Sequence, residues 1–326
     1  MIIDAHAHLV PPALLDELRD RRTEFPSVSM TEKDGSLAFS FAGKAPTRPV
    51  SPGLTNVAKR LGWMDENGID RQVVGGWLDM FGNDLPAEEG AEWARTINRH
   101  LKQAAKDSGD RFIGLSVVPL QDGARAAETL RAAHADGFKG TMIGTQPKGK
   151  GGVLDDPDLT PFWEAANELG SIVAIHPVFD AGDDRVKFHG MENAVGRVTD
   201  TLIAVSRIIY SGHVERYSNV KFVVGIGGSA LPYVIGRLKR NHSLHPDDMA
   251  DPAKALSMMY YDTLVHDPLA LKLLIDTVGA DRILLGSDMP FPIGDPKPRA
   301  ILESVGLSGA QRQSIEGGLI ETLIGA

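Results

Sequence analysis

Eight short apolar runs, separated by stretches long enough for a helix, constrain this chain more than any other feature. They lie at residues 2–5, 72–76, 112–117, 140–143, 171–175, 221–225, 257–261 and 283–286. A run without polar alternation suits a strand buried on both faces. Strands separated by ten or more helical residues need crossover connections and therefore run parallel. Eight such units in 326 residues predict an α/β protein, a (β/α)₈ TIM barrel, as one domain over residues 1–326. Residues 25–53 break the rhythm: Ser, Thr, Gly and Pro crowd around the alternating Leu37-Ala38-Phe39-Ser40-Phe41. They read as a small β-hairpin insertion after strand one, covering the first βα loop.

The balance of 34 Lys+Arg against 43 Asp+Glu, with no basic run, argues against nucleic acid as a partner and for a small-molecule substrate. Cysteine is absent, which removes disulfides, thiolate nucleophiles and sulfur metal ligands together. No apolar run reaches membrane-spanning length, and no leader-like segment opens the chain; a cytoplasmic protein is expected.

Barrel active sites lie at the carboxyl ends of the strands. The first run closes on Asp4-Ala5-His6-Ala7-His8, and residues two apart on a strand share a face, so both imidazoles can reach one point. Strand five stops at His176 and strand eight at Asp288. Three histidines and a carboxylate meeting at one mouth predict a site for one divalent metal, His6, His8, His176 and Asp288. Zn²⁺ is favoured, with Mn²⁺, Fe²⁺ or Co²⁺ as alternatives.

These residues resemble the amidohydrolase superfamily, and within it the 2-amino-3-carboxymuconate-6-semialdehyde decarboxylase branch. The resemblance is carried by the His-x-His opening, by 64–70 (Met-Asp-Glu-Asn-Gly-Ile-Asp), by Arg111-Phe112-Ile113-Gly114-Leu115, and by 261–268 (Tyr-Asp-Thr-Leu-Val-His-Asp-Pro). Gly286-Ser287-Asp288-Met289-Pro290-Phe291-Pro292 adds to it. It implies a single metal on the four residues just named. Two-metal members add a carboxylated lysine at the end of strand four, where this chain has Gly144-Thr145-Gln146, and Lys148 reads as solvated in a Lys/Gly loop. The resemblance also implies a homodimer in which residues 241–248 reach the neighbouring site, Arg48 as the grip on a substrate carboxylate, and Phe291 as a pocket wall.

The chain departs from that branch at three matched positions. Ile226 stands where a histidine ends strand six, Asn193 where a tryptophan lines the pocket, and His245 where an arginine crosses between subunits. Isoleucine cannot transfer a proton, and general acid–base help is worth about 10²–10⁴-fold. The expectation is therefore a hydrolase of a small amide, imide or lactone, with Asp288 as proton acceptor and His176 beside it. A non-oxidative decarboxylase or hydratase and a non-catalytic ligand-binding barrel are the alternatives. His189, on the loop after His176, and His266, after strand seven, are further candidates for substrate contact. Trp77 and Asp79 follow strand two at the same end, while His100 and His134 read as solvated helix positions.

Overall fold

The computed structural model describes residues 1–33 and 35–325. The eight apolar runs form eight parallel strands: β1 (Ile3–His8), β2 (Arg71–Gly75), β3 (Phe112–Gly114), β4 (Gly140–Gly144), β5 (Ile172–His176), β6 (Lys221–Val224), β7 (Tyr260–Asp262) and β8 (Ile283–Leu284). Neighbours pair in chain order, β1 to β3 and β4 to β8. A bridge between Ser116 and Thr141 joins the two arcs. The ring closes where Ala5 donates to the Leu285 carbonyl at 2.7 Å and Asp288 N–H donates to His6 O at 2.8 Å. The chain is a (β/α)₈ barrel, and closure joins the first and last strands of the eight.

Regular pairing is shorter than the apolar runs at strands three, seven and eight. Only Ile283–Leu284 is regular in β8, because the chain there leaves the ladder to bring Ser287 and Asp288 to the mouth. The outer helices follow the same physics as the strands. Helix Ala87–Asp107 has no internal proline and turns Trp93, Ala94, Ile97 and Leu101 inward, a spacing that keeps one stripe on the barrel. It ends where Gly109 adopts φ +66°, a left-handed conformation that glycine takes without steric cost.

The insertion is an antiparallel hairpin, Val28–Lys33 against Ser36–Phe41. Its Phe39 and Phe41 rings pack edge-on against Trp93, at 5.7 and 5.5 Å between centroids. Two helix histidines expected in solvent are engaged instead. His100 Nε2 lies 2.7 Å from Glu17 of the first helix, and His134 is half-buried, which holds its imidazole below the usual range. Among the described residues no helix is long and apolar enough to cross a membrane.

Barrel closure leans on one buried carboxylate. Asp4 accepts from Gln72 Nε2 at 2.7 Å, from the backbone of Ser287 at 3.0 Å and His6 at 3.1 Å, and from the Ser287 hydroxyl. Arg60 extends the network, donating to Gln72 at 2.7 Å and to His8 O at 3.1 Å. β1, β2 and the segment after β8 are thereby fixed to one another just below the mouth. Asp4→Ala strands several buried donors, so a loss of about 3 kcal/mol or more is expected. Urea unfolding should show it as a lower midpoint at unchanged slope; a midpoint within error of the native protein would remove Asp4 from this role.

Candidate metal centre and its cavity

His6 and His8 end β1 on one face, His176 ends β5, and Asp288 follows β8. One ligand atom from each lies within 4.8 Å of every other, and all four residues are buried. Asp288 Oδ1 is 3.0 Å from His8 Nε2, 3.5 Å from His6 Nε2 and 3.6 Å from His176 Nε2. Each imidazole has its other nitrogen against an oxygen. His6 Nδ1 faces Asp262 at 2.6 Å, His8 Nδ1 faces Gly76 O at 3.1 Å, and His176 Nδ1 faces Pro177 O at 2.8 Å. With Nδ1 so engaged, each ring turns Nε2 to the centre and, once that nitrogen is free of a proton, offers the lone pair a metal needs. His6 Nε2 is buried with no hydrogen-bond partner. The donor set fits one borderline divalent ion, as the strand-end pattern predicted.

Electrostatics at the centre pull in opposite directions. Burial disfavours a charged His6, but the hydrogen bond to Asp262 and the Asp288 charge prevail and raise it to about 9. Burial takes His176 down to about 4. Asp288 is held below the ordinary carboxylate range by His176 and His8 despite the opposing cost of burial.

Asp262 was named only as part of a matching segment, yet it organises the centre. Its carboxylate accepts from His6 Nδ1 and from three backbone amides, Gly227 at 2.6 Å, Leu264 at 3.1 Å and Ile226 at 3.2 Å. The Ile226 and Gly227 amides belong to a turn in which Ile226, Gly227, Gly228 and Ser229 all have left-handed φ, between +55° and +72°. For a β-branched residue such as Ile226 this costs on the order of 1–3 kcal/mol, sustained only where the surroundings enforce it.

Beside the centre opens a cavity of about 290 Å³, at the small end of the range for small-molecule sites. His176 and Asp288 form part of its wall, with Asn193, Ile226 and His266. Apolar cover comes from Leu264, Val265 and Ile293. Phe291 packs its ring on His8, 4.9 Å between centroids. Arg48 sits apart from this wall, pairing with Asp79 at 3.1 Å and lying over Phe179 at 3.7 Å. His189 is exposed and outside the wall, as is His245, which stands 3.8 Å from Asp248. Trp77 is buried and lies 5.6 Å from the Arg48 guanidinium. Lys148, expected in solvent, forms ion pairs at 2.8 Å with both Asp156 and Asp158, because its loop folds back on those carboxylates.

Sequence reasoning missed Arg197, whose guanidinium lies in the cavity wall and is largely buried. A signal existed: Asn193, Ala194, Arg197 and Val198 share one helical face by spacing.

The sequence model of the amidohydrolase family matches residues 3–318. The chain belongs to that family. Within it the chain falls in the branch resembling 2-amino-3-carboxymuconate-6-semialdehyde decarboxylase. It is 29% identical over 323 residues to the protein of that name from Dictyostelium discoideum, covering 97% of this chain and 89% of the relative. It is 27% identical over 248 residues to a gamma-resorcylate decarboxylase from a Rhizobium species, covering 71% and 76% respectively. In fold it matches a 5-carboxyvanillate decarboxylase from Novosphingobium aromaticivorans, solved with manganese and a nitrobenzoic acid. There the TM-score is 0.80 at 21% identity, over 100% of this chain and 96% of the other.

These relatives overturn the expectation of a hydrolase for this amidohydrolase-family member. That expectation gave decisive weight to Ile226, a position that cannot carry a proton. Kinship over 97% and 71% of the chain runs to decarboxylases, and Ile226 is one wall position among several, with the His266 imidazole in the same wall.

Asp262→Asn tests the organisation of the amidohydrolase centre. All four groups around the Asp262 carboxylate donate, so either orientation of an asparagine sets its NH₂ against a donor. Loss of the carboxylate on the His6 ring should weaken divalent-metal affinity about 10–100-fold. Chelator-competition titration measures it, and an unchanged constant would reject the role.

Proposed function

We propose that this protein is a metal-dependent, non-oxidative decarboxylase of a small aromatic or conjugated carboxylic acid. The reading is carried by one observation: the complete buried ligand set, His6, His8, His176 and Asp288, is retained in a chain related to decarboxylases over nearly its whole length. We assign the site to one Zn²⁺ ion, with Mn²⁺ as the competing occupant.

In such a reaction the bond from carbon to the carboxylate breaks, its electron pair stays on the ring or chain carbon, and that carbon takes a proton as CO₂ leaves. A divalent ion on the four ligands would supply positive charge to a substrate oxygen. Asp262 keeps the His6 lone pair directed at the centre, and Phe291 holds the His8 ring in place. Leu264, Val265, Ile226 and Ile293 exclude water from one side of the substrate. A carboxylate beside such a wall loses hydration, which favours its departure as neutral CO₂. His266 is the imidazole in the cavity wall outside the ligand set, and we assign it the return of the proton.

The metal-loaded protein should release CO₂ from at least one of 2,6-dihydroxybenzoate, 5-carboxyvanillate and 2-amino-3-carboxymuconate-6-semialdehyde, with no ¹⁸O from water entering the organic product. Chelation should abolish turnover and metal restore it, while His266→Gln should lower kcat about 10²-fold. Incorporation of ¹⁸O without CO₂ would reject the reading.

We also propose a homodimer. Ile203, Tyr233, Leu244, Leu269 and Leu273 are exposed on Arg197–Tyr210, Leu231–Leu244 and Pro268–Val278, the helices after β5, β6 and β7. Large apolar side chains left exposed on three successive helices support association through this side. Sedimentation should give a dimer at micromolar concentration, converted to monomer by Tyr233→Asp with Leu269→Asp; a monomeric native protein would overturn the assignment.

A further inference from the structure

Arg197 begins the helix Arg197–Tyr210 directly after a π-helical turn, Glu192–Gly196. Such turns rotate the register of the residues that follow and recur at functional sites. Asn193, Ala194, Arg197 and Val198 line the cavity whose wall also holds His176 and Asp288. Among the described residues, the one hydrogen bond of the Arg197 side chain runs from Nη1 to Asn193 Oδ1, at 2.9 Å. Its Nε is buried and has no partner.

A guanidinium carries five donors in a fixed fork and does not lose its charge in proteins. Burying one against a neutral amide, with donors unspent, costs stability that folding alone has no reason to incur. The neighbouring cation differs. Arg48 is neutralised by Asp79, at 3.1 Å from Nε and 3.4 Å from the second nitrogen. Both guanidiniums lie near Phe179, Arg48 at 3.7 Å and Arg197 at 5.0 Å from the ring centroid. The Arg48 charge is thus spent inside the protein, while that of Arg197 is presented to the cavity.

We propose that Arg197 is the specificity-determining cation of this cavity and binds a second carboxylate, so that the substrate is a dicarboxylate. The proposal rests on the decarboxylase reading for the first carboxylate, the one facing the metal ligands. The second remains on the product. A planar carboxylate accepts two parallel bonds from Nε and a terminal nitrogen of the fork, a match that an ammonium cannot reproduce.

The test is calorimetric binding of benzoate against phthalate, isophthalate and terephthalate to the metal-loaded protein. At least one dicarboxylate should bind about tenfold or more tightly than benzoate, the usual worth of a charge-assisted pair. Arg197→Met should bring that ratio close to one, and Arg197→Lys should keep part of it. Because the methionine variant removes an unpaired buried charge, its thermal midpoint should equal or exceed that of the native protein, whereas a structural arginine would lower it. If the methionine variant does not fold, the proposal fails on that count. A native ratio near one, or a ratio unchanged in Arg197→Met, also overturns it. Absence of CO₂ release alongside an Arg197-dependent ratio would sink the decarboxylase reading and leave this site standing; CO₂ release from monoacids with a ratio of one would do the reverse.

Discussion

The Asp262 carboxylate is the contact on which the working end of the barrel depends. It lies at the end of β7, accepts the His6 ring from β1, and gathers the backbone amides of the turn that follows β6. One buried anion thereby sets the tautomer of a metal ligand and the shape of the cavity wall together. A buried carboxylate is costly unless its lone pairs are satisfied, and four donors satisfy this one. Asp4 does the equivalent work one layer down, tying β1 to β2 and to the segment bearing Asp288. The metal ligands therefore stand on strands already locked to one another, which is the condition for holding four donor atoms within 4.8 Å.

The left-handed turn at 226–229 explains why this wall can change chemistry without changing shape. Gly227 would clash with Val265 and Gly228 with the Tyr261 ring if either carried a Cβ, at 2.0 and 2.6 Å. The backbone path is therefore fixed by its two glycines and by Asp262, whatever side chain occupies position 226. Ile226 accepts an unfavourable φ of +55° as the consequence and adds apolar surface to the cavity. A residue that cannot move a proton is compatible with the fold because the fold does not depend on its side chain.

What could be read from the sequence follows the strength of its periodic signals. Parallel strands buried on both faces write themselves as apolar runs, so all eight were legible, and active sites at strand ends made His6, His8, His176 and Asp288 legible with them. Strand limits were less so, because Ser257 to Met259 is apolar enough for a strand yet precedes the ladder that begins at Tyr260. Hydrogen bonds between distant segments leave no local pattern, which hid the role of Asp262 across 256 residues from His6. Arg197 was hidden for another reason: an arginine opening an amphipathic helix reads as solvated, and nothing local in the sequence says that its face lines the cavity. The hydrolase expectation failed by treating a missing side chain at 226 as a missing reaction.

Charge balance around the cavity shows why these hidden residues matter to what the site can accept. The four-ligand centre supplies one carboxylate directly, so a bound divalent ion would turn positive charge toward the cavity while Asp262 balances it from behind His6. Outside the wall, Arg48 is paired with Asp79, whereas Arg197 in the wall has only the Asn193 amide. A cavity of about 290 Å³ that holds a cation-binding centre and an unpaired guanidinium in a wall otherwise rich in apolar side chains is complementary to a short, rigid molecule. That molecule would be acidic at both ends. Flexible acids would forfeit rotamer entropy to span the same two points, whereas a planar conjugated acid arrives with its carboxylates already apart. The same conjugation would spread the electron pair left behind when CO₂ departs, so the geometry that selects the substrate and the electronic demand of the proposed reaction favour the same class of molecule.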